Sequence, residues 1–301
     1  TLHQSAFEGR TRVRGDRQRA LHFARLFAEE TGTETTTPRF AEGGRAVAAR
    51  GASLPRPSET IAASLPPVTE VTRIGQPGRE RFRRDFVASG TPLILTEALG
   101  EWDLAAWSRE RLRAAHGKLL GIVRPASVDS GAPPYSGVSI RSIAELLDEL
   151  DAAGGTPRYL AYNELPAELS SSIHHPPYFD RAEYLDPPNL WLGPAGTVTH
   201  LHRDGSDNLF IQLWGSKRFI LFSPDQRPLL SAWSAGDSGL DVCDVDPEHP
   251  DYERFPQFRD ARAITCDVAA GEMLFLPEGW FHHVRSLEPS LSINFWTRTK
   301  R

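Results

Sequence analysis

Residues 196–222 read GTVTHLHRDGSDNLFIQLWGSKRFILF, and the run divides into three strand-like segments at 197–204, 207–213 and 217–222. Apolar, aromatic and β-branched side chains dominate each segment, and Trp214-Gly215-Ser216-Lys217 supplies a turn signal between the last two. The same texture extends outward in both directions. It predicts strands at 93–95, 158–162, 189–193, 263–268, 273–276, 282–286 and 290–297, with Ala269-Ala270-Gly271-Glu272 as a further turn. Short strands with tight turns make an antiparallel sandwich or barrel. Helical patterns sit upstream of them, in a short stretch near 78–88, in WDLAAWSRERLRAAHG (102–117) and in SIRSIAELLDELDAAGG (139–155), the last two stopped by glycine. The fold class is therefore mainly β with flanking helices.

The chain has 301 residues, 40% of them hydrophobic, enough to bury a full core in one large domain with an appendage. The texture changes near Val68. Before it, residues 16–31 (DRQRALHFARLFAEET) place Ala20, Phe23, Ala24, Phe27 and Ala28 on one helical stripe, and residues 33–67 form a Thr-, Ala-, Gly- and Pro-rich arm with no period. The expected organisation is thus an N-terminal helix plus linker over 1–67 and a single folded body over 68–301. If a homodimer forms, the 16–31 helix is the candidate contact. Residues 1–67 carry 10 Lys and Arg against 7 Asp and Glu, leaving 24 against 32 in the body. An acidic body argues against nucleic acid as the partner. No run is apolar enough to span a bilayer or to serve as a signal peptide, and the two cysteines, Cys243 and Cys266, are too few for a disulfide framework. The expectation is a cytoplasmic protein without membrane contact, holding one loop thiol and one buried strand thiol.

Chemistry concentrates in the opening run. His200, His202 and Asp204 occupy alternate positions, the spacing of one face of a strand. Two imidazoles and one carboxylate on one side of an ion leave its other positions open, the pattern of non-haem Fe(II) oxygenases. A third ligand must come from elsewhere, and GEMLFLPEGWFHHVRSL (271–287) offers His282 and His283. Adjacent strand residues face opposite ways, so at most one reaches the metal; the other is expected at the surface or behind the site. A second His-x-Asp, His249-Pro250-Asp251, lies in a proline-broken polar stretch that lacks a rigid strand to aim it.

GTVTHLHRDGSDNLFIQLWGSKRFILFSPDQ followed by FPQFRDARAITCDVAAGEMLFLPEGWFHHVRSLEPSLSINFW resembles the JmjC branch of the cupin superfamily, most nearly its small protein hydroxylases. The likeness covers about residues 68–301. It rests on His-x-Asp, a lysine thirteen residues after the aspartate, and a distal histidine after a Gly-Glu strand. The resemblance implies a double-stranded β-helix, the cupin jelly roll. It implies His202, Asp204 and His282 as Fe(II) ligands, leaving His200 as a neighbour, and Lys217 as the cation for the far carboxylate of 2-oxoglutarate. It further implies Tyr159 (or Tyr162 in its place), Thr199, Asn208 and Asn294 as contacts to that cosubstrate. Simple alternation sets Thr199 on the face opposite His202, so its contact requires a bulge. Trp280 and Trp296 are expected in the core, while Trp191, Trp214 and His174–Tyr178 are expected on connections around the mouth. The implied reaction consumes O2 and 2-oxoglutarate and hydroxylates a C–H bond, on a peptide or protein side chain first. A biosynthetic small molecule, or a metal-binding cupin that oxidises nothing, is the alternative.

Overall fold

A computed structural model describes residues 69–126, 139–150, 158–234 and 239–298; the expected helix at 16–31 and the arm that follows lie outside them. In chain order the strands are β1 (Thr72–Ile74), β2 (Leu93–Leu95), β3 (Leu120–Pro125), β4 (Ser139–Ser142) and β5 (Arg158–Glu164), then β6 (Tyr184–Gly193), β7 (Val198–Arg203), β8 (Asp207–Trp214), β9 (Ser216–Phe222) and β10 (Ala232–Ser234). The last five are β11 (Asp241–Cys243), β12 (Ile264–Ala269), β13 (Met273–Leu276), β14 (Phe281–Ser286) and β15 (Ser290–Thr297). Every strand expected from the sequence is present. The short strands β1, β3, β4, β10 and β11 are additions, too brief or too irregular for alternation to mark.

Two sheets result, one ordered β1-β2-β13-β8-β15-β6-β5-β3-β4 and the other β10-β11-β7-β14-β9-β12. From β6 to β9 and again from β12 to β15, consecutive strands alternate between the sheets. That winding is the jelly roll. The helices α1 (Arg79–Phe82, continued by a π turn over Arg83–Val87), α2 (Arg109–His116) and α3 (Ile143–Glu149) belong to the N-terminal half. Ser108 caps α2 through its hydroxyl, and Ser142 with Glu145 forms a reciprocal capping box on α3. No helix among the described residues is long and apolar enough to cross a membrane.

Alternation along the strands sends side chains into three apolar layers. Leu209, Ile211, Leu291, Ile293 and Phe295 point out of the large sheet, into the main core with Phe82, Trp107, Leu146 and Tyr178. Phe210, Phe219, Leu221, Val268, Leu274 and Trp280 fill the space between the sheets. Leu201, Phe222 and Phe281 back the small sheet against Leu230, Val245, Phe255 and Phe258. Both cysteines lie on strands and are free; burial pushes each thiol up to about 12, so neither is a reactive thiolate. Cys243 is therefore not the loop thiol its surroundings suggested.

The β8–β9 turn passes through Gly215 at φ +73°, where a Cβ would meet Pro289 O at 2.3 Å. Gly196 has a similar φ of +79° but open space around it. Gly196→Ala should cost about 1 kcal/mol, the backbone penalty alone, while Gly215→Ala should cost at least about twice that. Denaturant midpoints of the two variants check the order; equal losses would mean that the close approach is relieved without penalty.

Candidate metal centre

The site is built on β7 and β14, neighbours in the small sheet, in which His202 lies directly opposite His282. Directly opposed residues of an antiparallel pair share a face. Their rings approach with centroids 4.1 Å apart, and Asp204, one residue past the end of β7, brings Oδ2 to 3.9 Å from His282 Nε2. One ligand atom from each of the three falls within 4.8 Å of the others. Each imidazole is oriented from behind. His202 Nδ1 lies 2.7 Å from His200 O and His282 Nδ1 lies 3.1 Å from Trp280 O. A carbonyl can only accept, so both Nδ1 atoms carry the proton and both Nε2 lone pairs stay available for an ion. Burial, and then the adjacent His202 ring, hold His282 well below the usual imidazole range, so it is a neutral donor. Two neutral imidazoles and one carboxylate suit a divalent first-row cation.

Asp204 is held by a side chain whose role the sequence did not reveal. Trp296 Nε1 donates to Asp204 Oδ2 at 3.0 Å, so Trp296 positions the carboxylate rather than merely packing in the core. Trp280 does sit in the core as expected, donating to Gly90 O at 2.9 Å.

Beside the triad a pocket is lined by Lys217, Thr199, Asn208, Asn294 and Trp191, among others. Lys217 is buried, and among the described residues no carboxylate pairs with it. Among the described residues its Nζ donates only to Ser292 Oγ, at 3.0 Å, and it lies 5.3 Å from the Phe210 ring centre. Burial pushes the ammonium down to about 7. Asn208 Oδ1 and Asn294 Nδ2 are buried without hydrogen-bond partners. The unpaired Asn294 Nδ2 donor, with the Lys217 ammonium, fits an acidic ligand in the pocket, since a buried polar group left unpaired costs about 1–3 kcal/mol.

Thr199 reaches the same lining because β7 is bulged. Opposite His282 stands His202, but opposite Val284 stands Thr199, so β7 fits three steps against two of β14. The extra residue turns Thr199 back onto the side that carries His202. Trp191 lies within β6 rather than on a connection, and its Nε1 donates to Asn294 Oδ1 at 2.6 Å. Tyr159 does not line the pocket. It is buried with Ala126, Ala161 and Trp191, and its hydroxyl accepts from Arg124 Nη2. The side chain of Tyr162 is outside those described.

Other expected site features lie elsewhere. His200 is exposed. His283 is not at the surface but behind the site, 1% exposed on the opposite face of β14, with Nε2 3.2 Å from Glu248 Oε2. Tyr178 stacks on Phe82 in the core at 4.3 Å, and His175 packs edge-on against Tyr184 and Phe295. Trp214 donates to Trp107 O and borders a separate surface cleft with Leu104 and Arg109. His249 lies beside Asp246 and Glu248, a second grouping of ligand types, but Glu248 is committed to Arg285.

A buried two-histidine, one-carboxylate grouping inside a jelly roll defines the class: a metal-site cupin. Comparison with known proteins makes it specific, because the cupin-like domain family matches residues 79–300. Human bifunctional peptidase and (3S)-lysyl hydroxylase JMJD7 is 32% identical over 71% of this chain and 79% of its own length. Lysine-specific demethylase 8 of Xenopus tropicalis is 29% identical over 79% of the chain and 56% of its own, and Jumonji C domain-containing protein 5 of Drosophila melanogaster is 30% identical over 83% and 65%. The chain belongs to the cupin-like JmjC family. It spans most of the human relative but little more than half of the frog one.

Trp296→Phe removes the indole donor while keeping an aromatic ring. Metal affinity should fall about tenfold, as for other groups that orient a ligating carboxylate. Competition with a fluorescent chelator reads this directly, and unchanged affinity would show that Asp204 is held without Trp296.

Proposed function

We propose that this chain is an Fe(II)- and 2-oxoglutarate-dependent dioxygenase that hydroxylates a C–H bond on a protein or peptide side chain. The observation that carries the reading is the juxtaposition of the His202, Asp204 and His282 donors with a buried lysine that has no carboxylate partner among the described residues. The three side chains would hold Fe(II) by one face. Lys217 would pair with the far carboxylate of 2-oxoglutarate, and Thr199, Asn208 and Asn294 would hydrogen-bond the cosubstrate. Tyr159, its hydroxyl taken by Arg124, would act only by packing behind Trp191. Bound there, iron and 2-oxoglutarate supply the oxidising chemistry, converting 2-oxoglutarate, O2 and R–H into succinate, CO2 and R–OH.

The chain's own contribution is orientation and shielding. Backbone carbonyls fix both imidazole tautomers, Trp296 fixes the carboxylate, and the apolar layer around Phe210 and Phe219 keeps water from the pocket floor. A protein or peptide substrate is favoured by the relatives, whose names include a lysyl hydroxylase and lysine-specific demethylases. Two free thiols favour a reducing, cytoplasmic setting.

Anaerobic titration of the Fe(II)-loaded protein with 2-oxoglutarate should produce a metal-to-ligand charge-transfer band. His202→Ala should abolish it, and Lys217→Ala should weaken cosubstrate binding by at least about 2 kcal/mol, roughly thirtyfold. No band in folded, iron-loaded protein would refute the assignment.

Lys217 also sets a pH signature. With its ammonium at about 7 when the pocket is empty, it is mostly neutral at pH 8; pairing with a carboxylate raises that value and draws a proton from solvent. Calorimetric titration in buffers of differing ionisation enthalpy should therefore show uptake of close to one proton per 2-oxoglutarate at pH 8 and much less at pH 6. Lys217→Met should remove the uptake, and a pH-independent proton count in the native protein would contradict the assignment.

A further inference from the structure

The sheet that carries both imidazoles continues past them. β7 pairs with β11 and β11 with β10, and one row of opposed residues runs His282, His202, Val242, Trp233. Opposed residues share a face, so Val242 and Trp233 stand on the same side of the sheet as the metal ligands. Their strand neighbours face the other way: Ala232 packs on the core behind the small sheet, and Ser234 donates to Asp241.

Trp233 is 49% exposed, unusual for so large an apolar side chain. It is nevertheless held in place, because its Nε1 donates to Asp244 Oδ1 at 3.1 Å. Asp244 is itself exposed and has no cationic partner among the described residues. The hairpin is also tied to the metal-bearing turn. Gly239, at φ +79°, packs so closely on Gly205, the neighbour of Asp204, that a Cβ there would lie 2.8 Å from Gly205 Cα.

Distance decides what such a platform can contact. Adjacent strands are about 4.8 Å apart, so Trp233 stands two strands, about 10 Å, from His202. An extended polypeptide with one residue at the metal covers that distance in about three residues at roughly 3.3 Å each. A flat indole face beside a carboxylate that has no cationic partner among the described residues suits a long basic side chain, its aliphatic stem on the ring and its cation at Asp244. We propose that Trp233 and Asp244 form a substrate subsite that takes a lysine or arginine about three residues from the hydroxylated position. This rests on the hydroxylase reading above and adds to it a sequence requirement in the substrate.

The test uses the full chain loaded with Fe(II) and 2-oxoglutarate. The probes are peptides centred on lysine, arginine or asparagine, each carrying Lys, Leu or Glu about three residues to either side of the centre. Hydroxylation is read by mass and succinate is measured in parallel. The native protein should show a KM about tenfold lower for Lys-flanked peptides than for Leu- or Glu-flanked ones, with kcat little changed. Trp233→Ala should erase that preference, and Trp233→Phe should restore most of it, which a loss of fold would not. Asp244→Asn keeps the acceptor for the indole but removes the charge, so it should erase the preference for Lys over Leu. Equal KM values across flanks, a preference that survives Trp233→Ala, or succinate formation with no peptide hydroxylated would each overturn the subsite while leaving the oxygenase reading intact. Absence of both the charge-transfer band and succinate would overturn the oxygenase reading, and the subsite with it.

Discussion

The pairing of β7 with β14 in one register is the constraint on which the rest of this protein depends. It sets His202 opposite His282 although they are far apart along the chain, and it does so through backbone hydrogen bonds that do not depend on either ring. A slip by one residue would turn an imidazole into the apolar layer behind the sheet, where Leu201 and Phe281 now lie. The bulge on β7 is the one irregularity in this β7–β14 pairing, and it adds a pocket-facing residue without disturbing the His202–His282 pair.

The interior of the jelly roll is costly to build. Lys217, Asn208, Asn294 and the two imidazoles are all buried, and two of their polar atoms, Asn208 Oδ1 and Asn294 Nδ2, have no partner among the described residues. Such groups destabilise a fold unless something else compensates. Two apolar layers on the outer faces of the sheets do so: one brings α2, α3 and the aromatic group around Phe82 against the large sheet, the other packs residues 230–258 behind the small sheet. The site is thus held by cores that it does not share, and its unpaired groups remain ready for a ligand.

Charged contacts brace the ligand strands from outside. Asp241 on β11 accepts from Arg227 and Ser234 and pairs with Arg203, which follows His202; burial would raise its pKa, but these partners outweigh burial and hold the carboxyl below the ordinary range. Arg285 on β14 grips Glu248, and His283 packs beside them on the same outer face. Both clusters sit back to back with the metal ligands, so each strand is fixed from the side that chemistry leaves free.

Local pattern was enough to show the longer strands, the outer helices in outline, and His202 and Asp204 with one of His282 and His283 as metal-ligand candidates, because alternation, turn residues and His-x-Asp spacing are short-range properties of the chain. Lys217 was marked only by the family resemblance, since a lysine opening a strand one tight turn after β8 would by itself read as a solvated hairpin residue. What the tertiary structure alone decided was partnership. Whether His282 or His283 faces the pocket follows from the register of β14 against β7. Thr199 joins the pocket through a bulge that no residue type announces. Trp296 holds Asp204, Trp191 lines the pocket and Tyr178 fills the core, though all three looked alike as aromatic residues near turns or strand ends. Periodicity tells which residues share a face of their own strand; which strands lie side by side, and in what register, is set only when the whole chain packs.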